Sequence, residues 1–172
     1  FYQKGYKATT ISEIAESAGF HVQTFYRYFS SKEDVVAEIW HQNYENFRSR
    51  FDSRGKTAAI DAWRQYVKDS AKSIVENSKP WGFEDSSSIP VLTAECQRYQ
   101  DQYRALLADG IAQDMNVNVA NDIRPILIAC TLFDGNSMAA RKWIGKSVVK
   151  KVYIDSLLRV VDETKRILNS LK

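Results

Sequence analysis

The chain is poor in the residues that punctuate a backbone. Seven glycines and three prolines in 172 residues cannot supply the turn every ten positions or so that an all-β sandwich or barrel requires. Its two cysteines, Cys96 and Cys130, are too few for a disulfide framework and lack CxxC spacing; they fit a reducing, cytoplasmic setting. Long apolar runs are also missing. Pro125 to Phe133, the longest mostly apolar stretch, falls far short of the roughly 20 residues that span a bilayer. No transmembrane helix and no membrane partner are therefore expected. The sequence holds no Gly-rich phosphate loop, no HExxH and no GxSxG, so it offers no catalytic, metal or cofactor signature.

A large excess of one charge is lacking too, with 24 Lys and Arg against 21 Asp and Glu. Its distribution is uneven. Residues 1–50 carry six of each sign, residues 51–140 nine basic against twelve acidic, and residues 141–172 nine basic against three acidic. The N-terminal part thus lacks the basic footprint that nucleic-acid binders often show, and any such reading must rest on arrangement. The chain opens on Phe1 rather than Met, with no signal-peptide pattern; a preceding segment, holding most of a first helix, is expected.

What is present is helical periodicity almost throughout, in a composition of 44% apolar and 26% charged residues that suits a soluble globular protein. Thr10-Ile11-Ser12-Glu13 is a capping box, and the helix it opens sets Ile11, Ile14, Ala15 and Ala18 on one face. Gly19 ends that helix. A second short helix is predicted from about Val22 to Phe29, and a third, capped by Ser31 with Glu33 and Asp34 at its positive end, runs to about Phe51. Further helices are predicted over Ala58–Ser78, from Pro90 to about Ile111, over Asp122–Ile144 and over Ser147–Leu171, with a loop at Glu84–Ile89.

Two short helices joined by a Gly turn and followed by a longer capped one form helix-turn-helix architecture. Phe25 and Phe29, four apart, would pack inward, leaving Val22, Gln23, Thr24, Tyr26, Arg27 and Tyr28 to supply the outward face. Amide, hydroxyl, guanidinium and phenol groups on such a face can hydrogen-bond phosphate oxygens and base edges. Lys32 adds a cation at the start of the next helix, where free backbone N–H groups already favour an anion.

Gly5-Tyr6-Lys7-Ala8-Thr9-Thr10-Ile11, Ile14-Ala15, Ala18-Gly19 and Thr24-Phe25-Tyr26-Arg27-Tyr28-Phe29-Ser30-Ser31-Lys32-Glu33-Asp34 closely resemble the DNA-binding domain of TetR-family transcriptional regulators. The resemblance covers residues 1 to about 45, with Phe1 to Lys4 as the end of a truncated first helix. It implies an all-α homodimer: a helix-turn-helix domain over 1–45, then a helical-bundle domain over 46–172 that binds a small ligand and dimerises through its last two helices, at about 122–144 and 147–171. It also implies phosphate contacts for Thr24, Tyr26 and Lys32, and contacts to bases or adjoining backbone for Val22, Gln23, Arg27 and Tyr28. Two positions depart from the family pattern. His21 stands where a small hydroxyl residue is usual, which weakens the helix cap, and Gln23 stands where Gly or Pro is common, adding an amide able to read adenine bidentately.

The second half is rich in rings: Trp63, Tyr66, Trp81, Phe83, Tyr99, Tyr103, Phe133 and Trp143. Trp63, Tyr66, Tyr99, Tyr103 and Phe133 are the candidate effector-binding residues, since tyrosines offer an apolar wall with a hydroxyl tip. Trp40 and Phe47, on the helix leaving the DNA-binding domain, are candidate transmitters. A stripe of Ile126, Cys130, Phe133, Ser137, Ala140 and Ile144, and a wide apolar face on the last helix, are the candidate dimer surface. The expectation is a ligand-responsive regulator, a repressor released from a pseudo-palindromic operator by a small apolar or aromatic effector. The alternative is a constitutive or protein-controlled DNA-binding regulator without a small-molecule pocket.

Overall fold

The computed structural model describes residues 6–76, 90–143 and 149–170. Phe1–Lys4, Trp81, Phe83, the loop predicted at Glu84–Ile89 and the predicted helix ends at Ser78, Ile144 and Leu171 lie outside them. The described residues hold seven helices and no strand: α1 (Ile11–Ser17), α2 (Val22–Tyr28), α3 (Lys32–Asp52), α4 (Ala59–Glu76), α5 (Pro90–Met115), α6 (Arg124–Arg141) and α7 (Lys150–Ser170). The chain forms two compact units, Phe1–Glu45 with Trp81–Tyr99, and Asn46–Pro80 with Gln100–Lys172.

The first unit is built on caps and turns. Thr10 Oγ1 accepts from the Glu13 amide at 3.2 Å while the Glu13 carboxylate accepts from the Thr10 amide at 2.8 Å, closing the capping box of α1. At the other end Gly19 takes φ +74°, a left-handed conformation that costs a glycine little. The Phe20 amide then reaches the Ala15 carbonyl at 2.9 Å and the Gly19 amide the Glu16 carbonyl at 3.0 Å, which together terminate the helix and turn the chain into α2. Ser31 and Asp34 cap α3 in the same reciprocal way, the Asp34 amide donating to Ser31 Oγ at 3.2 Å and Asp34 accepting from Ser30 at 2.8 Å. Behind these turns Tyr6, Val36, Trp40, Leu92 and Tyr99 form one buried cluster, joined by Tyr44 and Cys96.

The second unit packs α4 and α6 on α7. Trp63, Val67 and Ala71 of α4 and Tyr153, Leu157 and Val161 of α7 are buried with Phe47, Phe51, Leu107 and Leu132. Ala59, Trp63, Val67 and Ala71, at steps of four, form the buried stripe of α4. On α6 the buried side is Pro125, Ile128, Ala129, Leu132 and Asn136; the stripe predicted from Ile126 to Ala140 is its half-buried flank. Gly135 lets α6 and α7 approach closely, because a Cβ there would lie 2.7 Å from a Val160 methyl.

A buried amide sits inside this apolar core. Asn136, 7% exposed, accepts from the Trp63 indole N–H at 2.9 Å and donates to the Leu157 carbonyl at 2.8 Å. It thereby ties α4, α6 and α7 at one point, and each bond fixes the register of one helix against another. Removing the amide strands a buried indole N–H and loses both bonds. Asn136→Ala is therefore expected to lower the unfolding free energy by roughly 2–4 kcal/mol in urea titrations; a change under about 0.5 kcal/mol would contradict this role.

Candidate nucleic-acid interface and aromatic cluster

A seven-residue helix has little stability of its own, since isolated helices below roughly 12 residues are marginal in water. Side-chain burial must hold α2. Phe25 is 6% exposed, and its ring lies 5.6 Å from that of half-buried Phe29. With that side turned inward, Gln23, Tyr26, Arg27 and Tyr28 are exposed, and Val22 and Thr24 are half-exposed. Tyr26 and Tyr28, at 56% and 69% exposure, are far outside the range of core tyrosines. Arg27 donates to the Tyr28 hydroxyl at 3.2 Å and lies 5.0 Å over its ring. His21 takes the N-cap position and makes no side-chain capping bond, as its imidazole would not at a place suited to a short hydroxyl.

Lys32 is placed differently from the rest. Its ammonium donates to the carbonyls of Tyr6 at 3.0 Å and Thr9 at 2.8 Å, and stands 4.6 Å from the centre of the Tyr6 ring. Two of its three N–H donors therefore hold the turn that precedes α1. The neighbouring Glu33 accepts a short hydrogen bond from the Tyr6 hydroxyl. That bond draws the Glu33 carboxyl below its ordinary value, while burial, and then the Glu33 contact, push the Tyr6 phenol up. The first turn of α3 so grips the residues that begin the helix-turn-helix. Sequence spacing carries no signal of this grip, because the partners lie more than twenty positions apart.

The five candidate effector residues do not fall together. Trp63, Tyr66, Tyr103 and Phe133 share one cluster around Phe47, whose ring is stacked at 5.0 Å on Tyr103 and 5.3 Å from Trp63. The Tyr66 and Tyr103 hydroxyls are 3.1 Å apart, and Arg104, bound to Asp134, lies 5.1 Å over Phe133. Tyr99 belongs instead to the cluster of the first unit, with rings 6.1 Å from Tyr44 and 6.3 Å from His41. Tyr99 and Tyr103 stand four positions apart on α5, so they lie on one helix face, but Tyr99 belongs to the first unit and Tyr103 to the second. Asn136 was not singled out in the sequence. Its partners Trp63 and Leu157 lie 73 and 21 positions away, so sequence spacing carried no signal of this role.

A short helix with an exposed hydrogen-bonding edge, set by a glycine turn against a capped helix, is the arrangement of a helix-turn-helix. The family model of bacterial regulatory proteins described as the tetR family matches residues 1–39, the part of the chain that holds α1, α2 and the start of α3. The HTH-type transcriptional regulator TcmR of Streptomyces glaucescens is 27% identical over 152 residues, covering 83% of this chain and 67% of TcmR. Among solved structures, a TetR-family regulator from Rhodococcus sp. shares the fold at a TM-score of 0.69 and 19% identity, over 95% of this chain and 91% of that one. PfmR, a TetR-family regulator from Thermus thermophilus, does so at 0.53 and 19%, over 91% of each chain. No helix among the described residues is long and apolar enough to cross a membrane.

The Tyr6–Glu33 bond has a pH signature. A carboxyl whose folded pKa is depressed contributes stability above its unfolded value, roughly 4.3 for Glu, and loses it as pH falls through the folded value. Between about pH 5 and pH 3 the wild type is therefore expected to lose more stability than Tyr6→Phe. Urea unfolding across that range checks this; parallel profiles for the two proteins would contradict it.

Proposed function

We propose that the chain is a ligand-responsive repressor that binds a pseudo-palindromic operator as a homodimer. The observation that carries the reading is the exposed edge of α2, where Gln23, Tyr26, Arg27 and Tyr28 stand clear of the domain that buries Phe25. Two copies of this edge would enter successive major grooves roughly 34–36 Å apart. Gln23 and Arg27 would read bases, with Val22 and His21 alongside. Thr24, Tyr26 and Tyr28 would set the register on the backbone, and Lys32 would offer its third N–H to a phosphate. Because an amide can bond both N6 and N7 of adenine, Gln23→Ala is expected to relax base preference at one position of each half-site, by about 1–3 kcal/mol of discrimination. Binding to a library randomised at each operator position measures this; an equal loss on every sequence would deny Gln23 a reading role.

The effector would be aromatic or apolar with at least one polar group, held among Trp63, Tyr66, Tyr103 and Phe133. The paired hydroxyls of Tyr66 and Tyr103, half-buried beside the rings, support that choice. Release from DNA would require the effector to prefer the conformation that cannot span the operator, since only differential affinity shifts a population. The close mutual packing of the same rings favours a second reading, a constitutive or protein-controlled regulator with a filled core. Thermal-shift screening with a broad aromatic and lipid-like library separates the two. The ligand-responsive reading predicts a stabilising compound whose effect is lost in Tyr103→Ala and which lowers operator affinity. Stabilisation by no compound, with operator binding intact, supports the constitutive one.

A further inference from the structure

The turn between α1 and α2 holds an apolar side chain that its own domain leaves uncovered. Phe20 follows the left-handed Gly19 and is 62% exposed. It stands one position ahead of His21, the N-cap of α2. An apolar residue at that place often packs against the fourth residue of the helix it precedes, stapling the incoming chain to it. Here the fourth residue is Phe25, which is 6% exposed. Among the described residues its ring meets those of Tyr26 and Phe29 and not that of Phe20. Lone exposed apolar residues are common, but this one forgoes a partner that the local sequence supplies. Its backbone is nonetheless fixed, because the Phe20 amide donates to the Ala15 carbonyl at 2.9 Å. A ring offered from a tied turn has only two side-chain torsions left to order, so a contact made there loses little conformational freedom.

The exposed base-reading candidates of α2, Gln23 and Arg27, are hydrogen-bonding groups. One feature of the major groove lies beyond such groups: the C5-methyl of thymine, which is read by apolar contact, an aromatic ring included. The N-terminal residues of a recognition helix are the ones that reach base edges. Phe20 borders that end of α2, three positions ahead of Gln23. Val22, half-exposed, is the other apolar side chain there.

We propose that Phe20 is a specificity-determining residue of the helix-turn-helix, its ring packing on the C5-methyl of one thymine in each half-site. The inference rests on the DNA-binding reading above and adds to it a base preference that no hydrogen-bonding residue of α2 can supply. Taking a methyl-sized group out of water against the ring raises affinity roughly fourfold. The ring is neutral and displaces no counterion, so the contact leaves the salt dependence of binding unchanged. Gln23 and Phe20 would thus read their base pairs by different chemistry, the amide through N6 and N7 of adenine and the ring through a methyl.

Thymine-to-uracil replacement tests this, because uracil differs from thymine only by the missing methyl. The full chain selects a duplex from a random library, and that duplex is remade with uracil at one thymine position at a time. The wild type is expected to bind one such duplex about fourfold more weakly for each half-site. Phe20→Ala should bind the parent duplex more weakly by at least that factor and show no further loss on the same uracil duplex. Its slope of affinity against salt should match that of the wild type, and Val22→Ala should keep the uracil sensitivity. Phe20 is exposed, and circular dichroism with thermal unfolding confirms that its variant is folded. A uracil penalty that persists in Phe20→Ala, or that vanishes in Val22→Ala instead, would overturn the role of Phe20. So would a selected duplex indifferent to every replacement. Enrichment of no duplex at all would overturn the DNA-binding reading itself.

Discussion

The burial of Phe25 is the constraint on which the candidate DNA-reading surface depends. Helix α2 is too short to persist alone, and its N-terminus has no side-chain cap. Its orientation is fixed by an apolar side chain turned into the domain, seconded by Phe29. Once that side is inside, helical geometry leaves no choice about the opposite one: Gln23, Tyr26 and Arg27 must face out. The surroundings reinforce this. A glycine turn with two carbonyl-capping bonds sets the angle between α1 and α2, and a reciprocal Ser31–Asp34 cap starts α3 immediately after. Lys32 and Glu33 then hold the residues ahead of α1 through two carbonyls and a phenol.

The second unit uses a different device to the same end. Apolar packing among Phe47, Trp63, Leu132 and Val161 supplies most of its cohesion, but such packing alone tolerates sliding of one helix past another. The Asn136 amide does not, because its two bonds are directional and buried. The rings beside it carry the candidate effector contacts, so a ligand there would meet a framework whose registers are set by hydrogen bonds. Surface pairs such as Arg64–Asp162 and Lys165–Asp61 trim the same helix contacts and, being half-exposed, add little to stability.

Local signals were readable in the chain, and distant ones were not. The Thr10–Glu13 box, the Gly19 stop, the Ser31 cap and the helix starts at Val22 and Pro90 lie where short-range chemistry puts them. So does the inward pair Phe25 and Phe29. What escaped was everything that depends on which helix meets which. Tyr99 and Tyr103 look equivalent on one face of α5, yet they pack in different clusters. The stripe from Ile126 to Ala140 looked like an outer seam, whereas α6 turns Leu127, Thr131 and Met138 outward and places Phe133 against Trp63 and Tyr103. Lys32 read as a phosphate cation because it begins a helix; its carbonyl partners at Tyr6 and Thr9 are invisible to periodicity.

The most direct test of the account is an amide chemical-shift titration of the labelled protein with a duplex that it has itself selected from a random library. The account predicts the largest saturable shifts at Gln23 to Tyr28, with Phe25 moving less than its exposed neighbours. Shifts that leave α2 untouched and cluster on another surface of the protein would contradict it.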